Sequence, residues 1–507
     1  MIKFNISEDS QWLLLSECTD EIERKQLEIS LTKKIHNFFF NPLVKKKLWD
    51  GSVCFVEKKG PFWRVPIGLW REVMQIAEDY KYEFEIVGLD KLILSDLTLE
   101  DFTVWVNNFF GDSEMKPRDY QIETAWKLIK YRYSVSEVAT SSGKTLIAFM
   151  IFAYLKSKGL IRKFLMITPN TNLVFQGSED FEDYGLSKLG VKIQQIGGGS
   201  KKREGCDLII GTFQSLVKQE EEFFDEIDAV FVDECHQTNS MSIKKIVSKC
   251  MKSGWRFGLT GTLTKRGTAD YLTIQQFLGP LIVEIPPSFL FDNNYATPVS
   301  IKVVMLDWLD PELKDKLSDL KINQNNLEGN DIYNIERKLV IESKKRLNYI
   351  VDFISKTSKN SLVLFQSVKD EYGKQIWNLL REITNDKEVF YVDGDTDESL
   401  REEYKTRMAS GGNKILIATY GTFSTGISIN NLHNIFLVES YKSEVLIKQS
   451  LGRGMRKMEG KEKVVVVDFV DDFSTPRYQN YLIKHSNARL EIYRKEGFEH
   501  KIYKVKI

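Results

Sequence analysis

Two successive series of short apolar runs constrain the fold of this chain more than any other feature of its sequence. In the first series, runs such as Phe164 to Ile167, Leu208 to Ile210 and Ala229 to Val232 alternate with amphipathic segments of helical length. The second series follows Pro298 and comprises Leu362 to Phe365, Val389 to Val392, Ile415 to Ala418, Ile435 to Val438 and Val464 to Phe469. Short apolar runs that alternate with helices are typical of buried parallel strands. The sequence therefore predicts an α/β fold with two parallel-sheet lobes in tandem.

The length of 507 residues allows several domains, because one domain usually takes about 100–200 residues. A proline pair at Pro286-Pro287 marks a connection between the two series, and the charged stretch from Pro311 to Tyr349 is predicted to be helical. We predict four segments: a small basic and aromatic α+β domain over 1–112, the first lobe over 113–290, the second lobe over 291–475, and a helical, basic C-terminal tail over 476–507.

Composition excludes several classes of protein. Lys plus Arg equal Asp plus Glu at 71 each, so the whole chain is not a polycation that coats nucleic acid or membranes indiscriminately. The 5 cysteines are scattered without a C-x-x-C pair, which encodes neither a disulfide framework nor a zinc site. The longest apolar run, Leu146 to Leu155, is half of the ~20 residues that a membrane-spanning helix requires. We therefore expect a cytoplasmic protein.

A candidate phosphate loop, Ala139-Thr140-Ser141-Ser142-Gly143-Lys144-Thr145, precedes an apolar helix that begins near Leu146. Glycine lets backbone N–H groups curl round a phosphate, the lysine ammonium contacts the terminal phosphates, and the threonine hydroxyl can ligate Mg²⁺. Val138 replaces the first glycine of the usual pattern. Taken alone, a Gly-Lys-Thr before a helix is more often a chance tripeptide than a phosphate loop.

An acidic pair strengthens the assignment of the phosphate loop. Asp233 and Glu234 end the apolar run Ala229 to Val232, and an acidic pair at the end of a buried strand is costly unless it binds something. Asp233 can hold hydrated Mg²⁺, while Glu234 can orient and deprotonate a water molecule. Read alone, the pair is also compatible with a simple turn after a strand.

A third element, Gln449-x-x-Gly452-Arg453-x-x-Arg456, lies in the second series. Two arginines three residues apart are predicted to share one helical face. A planar guanidinium suits the charge that spreads over a γ-phosphoryl group during transfer. The alternative for this element is a solvated basic helix end.

Together these motifs resemble the superfamily-two helicases and translocases, which have two RecA-like lobes. The resemblance implies that Gln121 contacts adenine, that Gln449 acts with Glu234 on the water, and that Gly426 belongs to the nucleotide site. It also implies an ATP site with Mg²⁺ held by Thr145 and Asp233, and a coupling motif at Thr260-Gly261-Thr262. The same resemblance implies nucleic-acid contacts at Asn170, Thr212, Gln214, Gln366 and Thr419.

Within that superfamily the chain is similar to the UvsW-type recombination helicases of tailed bacteriophages. Four segments support this similarity: the Asp-Glu-Cys-His box at 233–236, Ser424 to Ser428, Lys192 to Gly199, and Asn41-Pro42 followed by Trp49-Asp50-Gly51. Ser141 and Ser428 depart from the commoner glycine and aspartate of the superfamily. Ser141 narrows the backbone conformations open to the loop. The resemblance therefore predicts that the chain hydrolyses ATP but leaves the rate of hydrolysis open.

A basic, aromatic-rich stretch between Arg24 and Arg71 has two readings. Lys45, Lys46 and Lys47 next to Trp49 combine phosphate attraction with a ring that can stack on a base. Alternatively the aromatic side chains form the core of a small domain and the lysines keep it in solution.

The sequence therefore predicts an ATP-dependent helicase or translocase that acts on branched or recombination intermediates of DNA, with ATP and Mg²⁺ as its cofactors. We expect DNA as its partner, no membrane, and no small-molecule substrate besides ATP. Two alternatives remain: an RNA helicase, because the grip on the backbone is common to both nucleic acids, and a nucleotide-switched DNA-binding or annealing factor. Glu234 argues against the second, since a pure switch does not need a carboxylate that activates water.

Overall fold

A computed structural model describes residues 1–18, 20–59, 62–111, 113–197, 205–239, 241–263, 265–309, 329–426, 429–441, 443–476 and 479–507. The chain divides into two compact units, Met1–Ala139 with Gly143–Ile285, and Thr140–Ser142 with Pro286–Ile507. Much of the charged stretch from Pro311 to Tyr349, which we predict to be helical, lies outside the described residues.

The N-terminal region, residues 1–111, mixes strands and helices as the sequence predicts. Its elements are β1 (Ile2–Ile6), β2 (Trp12–Cys18), α1 (Glu21–Ser30), β3 (Thr32–Lys34), α2 (Pro42–Lys45), β4 (Ser52–Cys54), β5 (Glu57–Lys59), β6 (Phe62–Pro66), α3 (Trp70–Asp79), β7 (Phe84–Val87) and α4 (Leu99–Phe109). Five strands form a sheet in the order β5-β6-β2-β1-β7, in which only the β1–β7 pair is parallel. Strands β3 and β4 form a separate antiparallel pair.

The first lobe follows. Its elements are α5 (Asp119–Lys130), β8 (Tyr133–Val138), α6 (Lys144–Ser157), β9 (Phe164–Thr168), α7 (Thr171–Asp183), β10 (Ile193–Ile196), β11 (Leu208–Thr212), α8 (Phe213–Leu216), α9 (Glu221–Asp225), β12 (Ala229–Asp233), α10 (Met241–Lys249), β13 (Trp255–Thr260), α11 (Ala269–Leu278) and β14 (Leu281–Ile285). Among the described residues, seven strands form an all-parallel sheet in the order β10-β11-β9-β12-β13-β8-β14. The predicted parallel sheet is confirmed.

The apolar helix α6 lies in the largest hydrophobic core cluster of the described part of the first lobe. Every residue from Leu146 to Leu155 is buried, because neighbours surround the helix on all sides. Helix α4 contributes Phe102 and Val106 to the same core. The last helix of the N-terminal region is therefore part of the core of the first lobe. In the parts of the chain that the structure describes, no helix is both long and apolar enough to cross a membrane.

The second lobe comprises α12 (Pro287–Asp292), β15 (Val299–Asp307), α13 (Gly329–Glu342), α14 (Lys344–Ser355), β16 (Ser361–Phe365), α15 (Tyr372–Ile383), β17 (Glu388–Val392), α16 (Glu398–Ala409), β18 (Lys414–Thr419), α17 (Tyr420–Gly426), β19 (Asn434–Leu437), α18 (Glu444–Gly454), β20 (Val464–Asp472), α19 (Tyr481–Lys495) and β21 (Glu499–Lys506). Its described strands form a second all-parallel sheet of seven, in the order β17-β18-β16-β19-β20-β15-β21. The tandem arrangement of two parallel sheets is also confirmed.

The C-terminal segment differs from the helical, basic tail that the sequence predicts. After a helix, the chain forms β21, which pairs in parallel with β15 from Ser300↔Glu499 to Asp307↔Lys506. The helix is anchored by Arg489, whose guanidinium donates two hydrogen bonds of 2.8 Å to the Asp468 carboxylate. The predicted helix is present as α19, but the strand after it was not predicted, because β21 is an edge strand whose exposed residues show no apolar run.

Candidate nucleotide and nucleic-acid sites

The predicted phosphate loop connects β8 to α6 at the carboxyl edge of the first sheet. Gly143 caps the helix in the left-handed conformation with φ 82°. A Cβ there would lie 2.3 Å from Gln121 Nε2 at the end of its side chain, and the left-handed backbone is the feature that favours glycine at this position. Ser141 adopts φ 69°, a conformation that costs a non-glycine residue about 1–2 kcal/mol. Thr140 and Ser142 lie in the same loop, and Thr145 in the first turn of the helix.

Gln121, the predicted adenine contact, lies beside this loop. It is 5% exposed and sits in the first turn of α5. Its Oε1 accepts a hydrogen bond of 2.8 Å from the Arg118 backbone N–H. The start of the helix therefore holds this side chain in a fixed orientation next to the predicted phosphate loop.

Lys144 and Glu234 form an ion pair although 90 residues separate them in sequence. The Nζ to Oε1 distance is 2.8 Å, and each side chain is 15% exposed. Burial alone would lower the pKa of Lys144, but the charges of Glu234 and Asp233 raise it above its usual value. Burial likewise opposes the charge of Glu234, yet Lys144 and His236 hold its pKa below the usual range. Both groups are therefore charged at neutral pH.

Asp233 is the second member of the acidic pair. Burial and the neighbouring charge of Glu234 raise the pKa of Asp233 to about 6. Its Oδ1 accepts a hydrogen bond of 3.0 Å from the Glu234 backbone N–H. Two adjacent, partly buried carboxylates beside one lysine leave a local excess of negative charge, which a divalent cation would neutralise. Together with the Thr145 hydroxyl, Asp233 offers hard oxygen ligands of the kind that Mg²⁺ takes while keeping several waters.

Thr260 joins this acidic box to the predicted coupling motif. Its hydroxyl lies 3.1 Å from Glu234 Oε2 and 2.8 Å from His236 Nδ1. The same oxygen accepts a hydrogen bond of 3.1 Å from the Thr262 backbone N–H. Strands β12 and β13 are neighbours in the sheet, which brings the two segments together. The Glu234 side chain therefore directly contacts the end of β13, where the predicted coupling motif begins.

The nucleic-acid contacts predicted in the first lobe also lie together. Strands β9 and β11 are adjacent, and Thr212 pairs with Thr168 at their carboxyl ends. Asn170 caps α7 by accepting a hydrogen bond of 3.0 Å from the Leu173 N–H. Gln214 donates one of 3.4 Å to the Pro169 carbonyl, which links the two segments. These residues lie at the same edge of the sheet as the acidic box, but on the neighbouring strands.

The second lobe repeats this arrangement. Gln366 and Thr419 lie at the ends of β16 and β18, where Phe365 pairs with Thr419. Thr419 accepts a hydrogen bond of 3.1 Å from the Thr422 N–H. Sequence reasoning missed Glu439, which is 2% exposed and accepts a hydrogen bond of 2.7 Å from the Gln366 N–H. Its signal was present, because an acidic residue directly follows the apolar run Ile435 to Val438.

The predicted arginines of the second lobe are not on one helical face. Helix α18 contains Gln449 and Arg453 but ends at Gly454, and Arg456 lies beyond it. Glycine is a poor helix former, which accounts for the early end. Arg453 lies 5.8 Å from the centre of the Phe423 ring, whereas Arg456 donates a hydrogen bond of 3.2 Å to Asn430 Oδ1.

The predicted signature segments lie partly outside the described residues. Gly426 is the last residue of α17, whereas Ile427, Ser428, Gly198 and Gly199 lie outside the described residues.

The basic loop, residues 35–51, connects β3 to β4. Lys45, Lys46 and Lys47 are exposed on it. Trp49 is half-buried, and its indole N–H donates a hydrogen bond of 2.9 Å to the Ser52 carbonyl. Sequence reasoning missed two neighbouring rings, Phe39 and Phe40, which are 53% and 63% exposed with centroids 4.5 Å apart. The two rings form a small exposed apolar patch on the basic loop.

Comparison with known families agrees with this geometry. Residues 114–265 match the family described as type III restriction enzyme, res subunit, and residues 345–458 match the helicase conserved C-terminal domain. The ATP-dependent DNA helicase uvsW of Enterobacteria phage T4 is 29% identical over 483 residues, which cover 91% of each chain. A candidate ATP-dependent RNA helicase, L396 of Acanthamoeba polyphaga mimivirus, is 24% identical over 52% of this chain and 47% of its own.

Solved structures share the fold. The type ISP restriction-modification enzyme LlaBIII bound to DNA superposes with a TM-score of 0.58 at 16% identity, covering 77% of this chain and 32% of its own. At that identity the likeness concerns the fold alone. The family matches agree with the two parallel sheets and with the helicase relative that aligns over 91% of this chain. The chain belongs to the superfamily-two helicases and is an ATP-dependent helicase that binds nucleic acid.

Proposed function

We propose that this helicase acts on branched DNA, such as forks and recombination intermediates, and unwinds or migrates the branch at the expense of ATP. The observation that carries the proposal is the joined cluster of Lys144, Glu234 and Thr260, beside the strand ends that hold Asn170 and Thr212. The cluster supports the proposal because the lysine that is expected to bind phosphate, a carboxylate suited to activating water and the predicted nucleic-acid contacts lie at one sheet edge. The relative that covers 91% of this chain is named a DNA helicase, which supports DNA over RNA.

The residues of the first lobe divide the chemistry among them. Lys144 would bind the terminal phosphates of ATP, and Gln121 would contact the adenine. Glu234, ionised at neutral pH, would accept a proton from the attacking water. Asp233 and Thr145 would hold Mg²⁺, which supplies charge neutralisation at the phosphates when bound.

The second lobe would contribute Arg453, Arg456 and Gln449. A guanidinium that contacts the γ-phosphoryl group stabilises the charge of the transition state more than that of bound ATP. Since Arg456 lies outside the helix that carries Arg453, the two side chains have separate supports and need not act equally.

The basic loop would grip DNA at its backbone and bases. The exposed lysines Lys45, Lys46 and Lys47 supply charge for phosphates, and the exposed rings of Phe39 and Phe40 supply faces on which unpaired bases can stack. A branch point presents both features, because a duplex backbone there adjoins unpaired bases.

ATP hydrolysis measured in parallel on single-stranded DNA, duplex, fork, four-way junction and RNA tests the substrate. We expect the fork and the junction to stimulate turnover most. Stimulation by RNA equal to that by the junction would favour an RNA helicase, while ATP binding without any turnover on all five would favour a nucleotide-switched factor.

The grip of the basic loop has its own test. Changing Lys45, Lys46 and Lys47 together to Gln should weaken fork binding and reduce the slope of log K against log salt by about 0.7–0.9 for each lost phosphate contact. The matched control changes three exposed lysines of the second unit, Lys338, Lys356 and Lys501, to Gln. If the salt dependence of fork binding is unchanged in the loop variant, the three lysines do not contact DNA phosphates and the region has a structural role only.

A further inference from the structure

The N-terminal region packs on α11, the helix that follows the Thr260–Thr262 segment. Ala269, Tyr271 and Leu272 of this helix lie in one buried cluster with Ile67 and Leu69 of the N-terminal region. The contact is apolar and continuous. The N-terminal region therefore rests directly on a helix that begins at Ala269, nine residues after Thr260.

The backbones approach closely in this contact. A Cβ at Gly68 would lie 2.0 Å from the Gln275 carbonyl oxygen, so only glycine fits there. Glu72 packs beside it, and burial raises the pKa of its carboxyl group although a hydrogen bond from Gln275 opposes the shift. Such close packing transmits displacement, because interiors have little free volume in which to absorb it.

One polar contact connects α11 to the root of the basic loop. Asp270, in the first turn of α11, accepts a hydrogen bond of 2.8 Å from the His36 backbone N–H to its Oδ2. Next to it, the Ile35 N–H donates a hydrogen bond of 2.9 Å to the Gly51 carbonyl and closes the loop. A carboxylate that accepts from a backbone N–H forms a charge-assisted and therefore stronger bond. The loop that carries the exposed lysines is thus held at its base by α11.

The segment before α11, which contains Thr260 and Leu263, contacts the predicted nucleotide site. Thr260 contacts Glu234, and the Leu263 N–H donates a hydrogen bond of 3.1 Å to Glu137 Oε1 on β8. The Leu263 side chain packs against the cluster shared with the N-terminal region. Glu234 thus has Lys144 at Oε1 and Thr260 at Oε2, so one carboxylate connects the lysine that is expected to bind phosphate to this segment.

We infer that Asp270 is a positioning residue: by holding the His36 backbone it fixes the basic loop to α11, so that the nucleotide state sensed at Glu234 and Thr260 sets the position of the loop. This inference rests on the proposed grip of DNA by the basic loop. It goes further, because it assigns the control of that grip to one carboxylate outside the ATP site.

Hydrogen exchange of the full chain without DNA tests the coupling itself. Peptides from 35–51 are compared with and without a non-hydrolysable ATP analogue, in wild type, Asp270→Ala and Asp270→Asn. We expect the analogue to change the exchange rate of these peptides at least two-fold in wild type. The same change is expected in Asp270→Asn, because asparagine keeps an acceptor oxygen. No change is expected in Asp270→Ala. An unchanged exchange rate in wild type, or an equal change in all three proteins, overturns the inference.

Turnover gives the second readout. Asp270→Ala should retain basal ATPase and melting temperature but lose about three- to ten-fold of the fork-stimulated kcat, the range expected for one lost hydrogen bond. Asp270→Asn should restore it. Glu100→Ala, which removes an exposed first-turn carboxylate from α4, is the matched control for loss of helix-end charge.

If Asp270→Ala keeps full stimulation while the loop-lysine variant loses fork binding, the inference fails and the proposed grip stands. If the lysine variant binds forks normally while nucleotide still changes loop exchange, the grip fails and the coupling stands.

Discussion

Glu234→Gln removes one charge from the hydrolytic centre and keeps its shape. In wild type the Lys144 ammonium lies 2.8 Å from Glu234 Oε1, with both side chains 15% exposed. Opposite charges at 2.8 Å attract by about 6 kcal/mol at an effective dielectric constant of ~20, before desolvation is counted. A hydrogen bond to a charged group contributes about 1.5–3 kcal/mol net and a neutral one about 0.5–1.5 kcal/mol. Replacement of the carboxylate should therefore weaken the contact by about 1 kcal/mol.

ATP phosphates must draw Lys144 out of this contact, so a weaker contact favours ATP. We expect Glu234→Gln to bind ATP about five-fold more tightly than wild type. The kcat should fall by about 10²–10⁴-fold, because the general base is lost. Titration with a fluorescent ATP analogue and steady-state ATPase with fork DNA measure the two effects. Asp207→Asn, which removes a partly exposed carboxylate paired with Lys156 at 2.6 Å, is the control. Wild-type turnover, or weaker ATP binding, would refute the assignment of Glu234.

Further predictions concern the phosphate lysine, the arginines and the C-terminal helix. Lys144→Ala should lose both ATP affinity and turnover in the same two assays. Arg456→Ala should bind ATP nearly normally but turn it over on the order of 10³-fold more slowly; equal rates for this variant and wild type would leave Arg456 a structural residue. Arg489→Met should destabilise the second unit by about 3–5 kcal/mol, since it leaves the buried Asp468 carboxylate without its cation. Hydrogen exchange of the second unit measures this loss of stability. The control is Arg494→Met, which changes an exposed arginine on the same helix.

The parallel sheets could be predicted because strands buried on both faces are apolar throughout. Phe164 to Ile167 and Leu362 to Phe365 each begin within one residue of the observed strands. Edge strand β21 could not be predicted in this way, since solvent on its exposed side permits charged residues such as Lys501 and Lys504. The phosphate loop and the acidic pair were found from their order in the chain.

Contacts between distant segments were beyond sequence reasoning. The hydrogen bond between His36 and Asp270 joins residues 234 positions apart, and neither residue stands in a pattern of its own. The exposure of Phe39 and Phe40 is equally invisible in sequence, because an aromatic run predicts a core at least as well as a surface. The end of the helix at Gly454 was open to prediction from its two glycines, but the arginine spacing favoured a continuous helix.

The most direct test of the account is strand separation on a labelled DNA fork by the wild-type protein and by Lys144→Ala, each with ATP and with a non-hydrolysable analogue. We predict ATP-dependent separation by wild type, none with the analogue, and none by Lys144→Ala with either nucleotide. Separation of the fork by Lys144→Ala, or by wild type with the analogue, to the extent seen with ATP would contradict the claim that the Lys144 and Glu234 centre drives the motor.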